Sequence, residues 1–158
     1  MTTEDSESRA TAEPAPPPLE FVFEANVEIA ETLMMGKGRY GERRVIPITG
    51  GTLAGPRLQG SVLPGGADWQ LVRADGDIEL DARYPVRASD GTLIQIRNHC
   101  LVHIPPGTRD PAQIYVRTAP EFDAPSDGPH AWLNHSLFIG TLALGGKGRV
   151  RIRVFRVG

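Results

Sequence analysis

The stretch "TLIQIRNHCLVHI", residues 92–104, decides the fold class. Read with period two, one face carries Ile94, Ile96, Asn98, Cys100, Val102 and Ile104. The other carries Leu93, Gln95, Arg97, His99, Leu101 and His103. Alternation of this kind is that of a β-strand, and both faces here are substantially apolar. Working outward, "LEFVFEANVEIA" sets Leu19, Phe21, Phe23, Ala25, Val27 and Ile29 against Glu20, Glu24, Asn26 and Glu28. "DIELDARYPVR" opposes Ile78, Leu80, Ala82, Tyr84 and Val86 to Asp77, Glu79, Asp81, Arg83 and Arg87, and "RVRIRVFRV" repeats the pattern from Arg149. Further strands are expected at 44–49, 57–63, 69–74, 113–118 and 132–144, and residues 30–35 carry the weakest pattern. Asp75-Gly76 and Asp90-Gly91 are turn dipeptides. About eight to ten strands with little helix predict an all-β fold, a single antiparallel β-barrel. A small barrel has little to cover its outer wall, so strands apolar on both faces predict a homo-oligomer, with a dimer the simplest form.

Residues 1–18 differ from the rest. Glu4, Asp5, Glu7 and Glu13 face only Arg9, a net of −3, and prolines occupy 14, 16, 17 and 18. Such a segment predicts a disordered acidic tail ahead of a barrel domain over 19–158. With the whole chain of 158 residues at −2, the barrel itself is near neutral, which argues against nucleic acid or an anionic membrane as partner. The N-terminus lacks the basic flank and apolar stretch of a signal peptide, no run is long and apolar enough to span a membrane, and the single cysteine, Cys100, suits a reducing compartment. The expectation is a cytoplasmic protein. The bias to arginine, with Lys37 and Lys147 the two lysines, reads as a GC-rich bacterial genome.

No phosphate-binding loop, paired CxxC or HExxH is present, so no cofactor and no metal is expected. His99 and His103 share a face without an acidic or third imidazole partner, and Cys100 faces away from both, which makes it a buried, inert thiol. "GSVLPGGADW", residues 60–69, reads as a glycine turn ending on Asp68 and Trp69, which lie on opposite faces of a strand. Tyr115 and Arg117 share a face, as do Trp132 and Asn134, while Arg83 sits beside Asp81. Each has an ordinary structural role open to it: a self-capped turn for Asp68, a core or rim position for Trp69, a solvated ion pair for Arg83. Polar-tipped aromatics with arginines on several strands are also how a small-molecule cavity is anchored.

"ITGGTLAGPRLQGSVLPGGADW", "DGDIELDARYPVRASDGTLIQIRN", "YVRTAPEFD" and "WLNHSLFIGT" together resemble successive blocks of the bacterial and fungal family labelled domain of unknown function 3237, over roughly residues 19 to 157. The resemblance implies a small antiparallel barrel, similar in outline to allene oxide cyclase and lipocalins. Its recurring positions correspond to Asp68, Trp69, Asp81, Arg83, Tyr84, Asp90, Tyr115, Arg117, Trp132 and Asn134. The function expected is cofactor-independent isomerase, cyclase or lyase chemistry on a small aromatic or polyketide-like ligand. Asp68 or His99 would move a proton, and Arg117, Tyr115 and Asn134 would stabilise an enolate or carboxylate. Trp69, Arg83 and Trp132 would contact the ligand. A non-catalytic binding barrel uses the same residues for affinity alone, and an interaction protein would have a filled interior.

Overall fold

A computed structural model describes residues 13–158, in which the alternating segments form ten strands. They are β1 (Leu19–Ile29), β2 (Leu33–Gly38), β3 (Gly41–Ala54), β4 (Gly60–Val62), β5 (Gly66–Val72), β6 (Ile78–Ala88), β7 (Leu93–His103), β8 (Tyr115–Asp123), β9 (Phe138–Leu144) and β10 (Arg149–Val157). Every pairing is antiparallel, and from β2 onward each strand pairs with a chain neighbour, as in an up-and-down meander. β1 pairs with both β10 and β3, which closes the barrel. Two positions in the wall are split. β2 continues the line of β1 along β3, and β4 and β5 share the place between β3 and β6. The ten strands therefore fill eight positions around the barrel. Most of the disordered-tail expectation falls on residues 1–12, outside the described residues; residues 13–18 have no regular structure.

The sharp turns follow their dipeptides. Gly76 and Gly91 take φ of 90° and 92°, in the left-handed region glycine favours, while Asp75 and Asp90 accept from the amides of Asp77 and Thr92. The segment "GSVLPGGADW" holds the expected turn, at residues 64–65 between β4 and β5, but the turn does not reverse the chain into a hairpin. It is an excursion within one wall position: Val62 lies opposite Val86 and Ala67 opposite Arg83, so five steps on this strand span three on β6. The two extra residues are an even number, so alternation resumes in phase, with Val62 and Asp68 both facing inward. The expected strand at 132–144 is also corrected. Residues Ala131–His135 form a 3-10 turn and β9 begins only at Phe138. Asn134 holds that turn in place, its side chain bonding both the amide and the carbonyl of Ala124 at 2.8 Å.

The interior divides into two halves. At one end Phe23, Phe122, Phe138 and Trp132 make a chain of tilted and edge-on ring contacts, centroids 4.8–6.0 Å apart. Leu58 and Leu133, each 1% exposed, seal that end beside Val86, Ile94, Ile96 and Val154. Toward the other end the inward side chains, Val27, Ile48, Ala82, Cys100 and Ile152 among them, line a cavity. That half is hollow.

Candidate functional site

Phase along the strands assembles the cavity. Its volume is about 180 Å³, and its walls are aliphatic: Val27, Ile29, Ile46, Ile48, Leu142 and Ile152 among them. Leu144, 83% exposed, also lines it, so the cavity reaches solvent at that rim. Five polar-tipped residues interrupt the apolar wall: Asp68, Gln70, Tyr84, Asn98 and Cys100. None is cationic.

Their arrangement follows from register. Asp68 lies opposite Ala82, and Ala82 opposite Asn98, which puts a carboxyl and an amide in one inward row separated by a methyl group. Gly66 allows β5 to sit this close to β6, since a Cβ there would lie 2.5 Å from the Cβ of Tyr84. Asp68 Oδ2 accepts from Gln70 Nε2 at 2.6 Å, and Gln70 Oε1 accepts from Arg44 Nε at 2.6 Å. Asp68 Oδ1 and Asn98 Oδ1 are buried without any hydrogen-bond partner. Asn98 is 3% exposed, and an unpaired polar atom at such depth is costly unless something fills its bonding capacity. Burial pushes the Asp68 carboxyl above the usual carboxylate range, with the Asp81 charge adding to the rise. The Gln70 bond, the Asp81 backbone amide and the Arg44 charge oppose it without cancelling it. Burial likewise raises the Tyr84 phenol, and it pushes the Cys100 thiol up to about 12, so both stay protonated at neutral pH. Cys100 is the inert thiol its strand position predicts.

Of the residues expected to build one site, Asp68 alone enters this cavity. Trp69, its neighbour, points outward and is half exposed. His99, Arg117 and Tyr115 lie on the outer faces of β7 and β8, along an open groove that also holds Arg73, Glu79 and Ile139. Strand alternation is the reason: odd positions of β7 and β8 face solvent where even positions face inward. Arg117 spends its guanidinium on the Val116 carbonyl at 2.7 Å and on the Tyr115 ring. Arg83 takes the solvated role open to it, bonding Asp81 at 3.2 Å beside Arg97 at 3.1 Å. Trp132 and Asn134 belong to the packed end, where the Arg57 guanidinium lies 3.7 Å from the Trp132 ring centroid. The enclosed carboxylate clamp built from Arg117, Tyr115 and Asn134 is thus corrected: those side chains do not reach the ligand space around Asp68. His99→Ala and Arg117→Ala are expected to leave chemistry in the cavity unchanged and to shift stability by no more than about 0.5 kcal/mol, read by steady-state kinetics and thermal unfolding.

Gln70 and Asn98 are site residues that the motif search passes over. Both carry a sequence signal: Gln70 is two positions from Asp68 on one strand, and Asn98 is the single amide on the apolar face of 92–104. Among the described residues no helix is long and apolar enough to cross a membrane.

Residues 17–157 match the family described as protein of unknown function (DUF3237). The chain belongs to that family. Relatives of this DUF3237 barrel include a UPF0311 protein of Rhodopseudomonas palustris, 36% identical over 132 residues, covering 78% of this chain and 86% of the relative. The crystal structure of a beta-barrel like protein from Acinetobacter baumannii superposes with a TM-score of 0.82 at 29% identity, covering 94% of the DUF3237 barrel and 100% of that chain. A hydroalkoxylation enzyme of Penicillium herquei is 33% identical over 128 residues, covering 81% of this chain and 76% of the relative.

Proposed function

We propose that this protein is a cofactor-independent acid catalyst, using Asp68 to protonate a small, neutral, largely apolar substrate held in the hollow half of the barrel. One observation carries the reading: Asp68 lines an aliphatic cavity that has no cationic wall residue, and its carboxyl oxygen Oδ1 is buried without a partner. A carboxyl in such surroundings holds its proton above the usual carboxylate range and is placed to deliver it. Lack of a cation in the wall disfavours a carboxylate ligand, since its buried negative charge would have nothing to pair with. The Penicillium relative named for hydroalkoxylation supports the reaction type, the addition of a hydroxyl across a carbon–carbon double bond.

In that reaction the Asp68 proton passes to one alkene carbon, and the substrate oxygen forms a bond to the other. The hydroxyl proton returns to the carboxylate, so the catalyst is regenerated and nothing is oxidised or reduced. Asn98 Oδ1 is free to accept from the substrate hydroxyl and so orient it, the entropic part of catalysis. The cavity of about 180 Å³ is close to the ~150 Å³ that holds benzene and below the ~300–1,000 Å³ of drug-sized sites. A single-ring substrate fits the enclosed part, and any larger portion extends past Leu144. The exposed Trp69, Leu101, Tyr115 and Ile139 on the outer wall support pairing between copies of the chain in the same proposal.

Incubation with 2-prenylphenol in D2O tests the chemistry. The expected product is the cyclic ether carrying one deuterium at the newly formed C–H bond. Binding of the phenol without cyclisation or deuterium exchange would instead select a non-catalytic binding barrel. Ala82→Phe, which puts a ring into the row between Asp68 and Asn98, is expected to remove both binding and turnover while the near-ultraviolet circular dichroism stays native.

A further inference from the structure

We infer that Arg44 and Gln70 form a positioning relay that assigns the Asp68 proton to Oδ1, the oxygen left without a protein partner. The inference rests on the proton-donor reading of Asp68 and adds which oxygen acts and what decides it. The argument follows from donor and acceptor chemistry. Arg44 and Gln70 lie directly opposite each other on β3 and β5, and Arg44 Nε is 2.6 Å from Gln70 Oε1. A guanidinium only donates, so the Gln70 carbonyl must face it. The Gln70 amide nitrogen is thereby turned toward Asp68, where it lies 2.6 Å from Oδ2. That nitrogen also only donates, so Oδ2 must accept and cannot carry a hydrogen along the same line. The proton of the neutral acid is left to Oδ1, which is buried and has no protein partner.

A free glutamine would not do this. Its amide could rotate by half a turn, present its carbonyl to Asp68 and take the acid's hydrogen as a bond of its own, away from the substrate. Gln70 is 6% exposed, so water does not compete for its two ends. Arg44 is therefore the residue that determines the amide's orientation, although it does not line the cavity itself. The other ionisable groups around Asp68 are Asp81 on β6, whose charge raises it, and Tyr84 and Cys100 on β6 and β7, which the Asp68 charge helps to raise. Gln70 is the side chain that bonds the Asp68 carboxyl; none of these three side chains takes its place.

Infrared difference spectroscopy of the whole protein reads the relay directly. The carbonyl stretch of protonated Asp68 is assigned as the band lost in Asp68→Asn. In the wild type this carbonyl is Oδ2 and accepts from Gln70, which lowers its frequency. In Arg44→Met the amide is released, the acid donates to Gln70 Oε1, and the band moves to higher wavenumber. Arg44→Lys, which still donates, keeps the wild-type position. Gln70→Leu removes the donor outright and gives the same upward shift, an independent arm if Arg44→Met does not fold. A band at one position in all these variants overturns the relay while leaving Asp68 as the acid. Absence of any protonated Asp68 band from the folded wild type across acidic and neutral pH overturns the acid reading and the relay together.

Discussion

Asp68→Asn lowers the turnover of the cyclisation by about 10²–10⁴-fold, the usual contribution of a positioned proton donor. Asparagine is close in shape and can still accept from Gln70, so the loss reports the missing proton rather than a rearranged wall. KM for the phenol changes little, because the aliphatic surface and Asn98 are untouched. The same variant has a second signature in stability. The folded-state value of Asp68 lies above its ordinary value of 3.8, so the native protein holds this proton more tightly than the unfolded chain. Its contribution is present in full below that ordinary value and is lost as pH rises through the raised folded value. Asparagine has no such dependence. The stability of Asp68→Asn relative to wild type should therefore climb with pH across that window and then level off, measured by urea unfolding at a series of pH values. A turnover equal to wild type, or a stability difference that is flat with pH, would remove the basis for Asp68 as a buried acid.

The second large effect concerns closure of the barrel. Gly51 lies opposite Val27, where β3 meets β1, with φ of 139°. A Cβ built there would overlap the carbonyl oxygen of Asn26 and lie 3.1 Å from Val27 Cα, both backbone atoms that cannot rotate away. Gly51→Ala must force the two strands apart at the seam that makes a sheet into a barrel, and it also adds backbone strain of about 1–3 kcal/mol. A total cost of about 3 kcal/mol or more is expected, read as a fall in Tm of roughly 6–12 °C for a chain of this size. Gly76→Ala serves as the comparison. It has the same kind of backbone strain but nothing within 4 Å of its Cβ, so it costs less than Gly51→Ala. Equal losses at the two sites would show that the close approach of β1 and β3 does not limit stability.

The two results share one physical origin in backbone approach. Glycine at Gly51 lets the meander close, and glycine at Gly66 lets β5 pack on β6 so that Asp68 reaches the space beside Asn98. The sequence marks both as glycine-rich stretches without saying which backbone each one meets. Proline and two glycines in "GSVLPGGADW" mark a turn in the sequence whether the chain reverses there or continues along the same wall position. Only the pairing of β4 and β5 with the same two neighbours distinguishes this excursion from a hairpin.

Period-two alternation is a local property, so residues 92–104 alone determine that Ile94, Ile96, Asn98 and Cys100 share a face, and that His99 does not join them. The strand count, the absence of long helices and the Asp-Gly turns are equally local, and with them the all-β barrel. Which face is inside is a different kind of fact. It is decided when β1 closes on β3 and β10, far apart in the chain, and every strand commits one side to the interior at once. That closure turns Asp68, Gln70 and Asn98 inward and Trp69, His99, Tyr115 and Arg117 outward. It also leaves one half of the barrel packed by aromatic rings and the other hollow, because side-chain volumes must sum across strands that no single stretch of sequence contains.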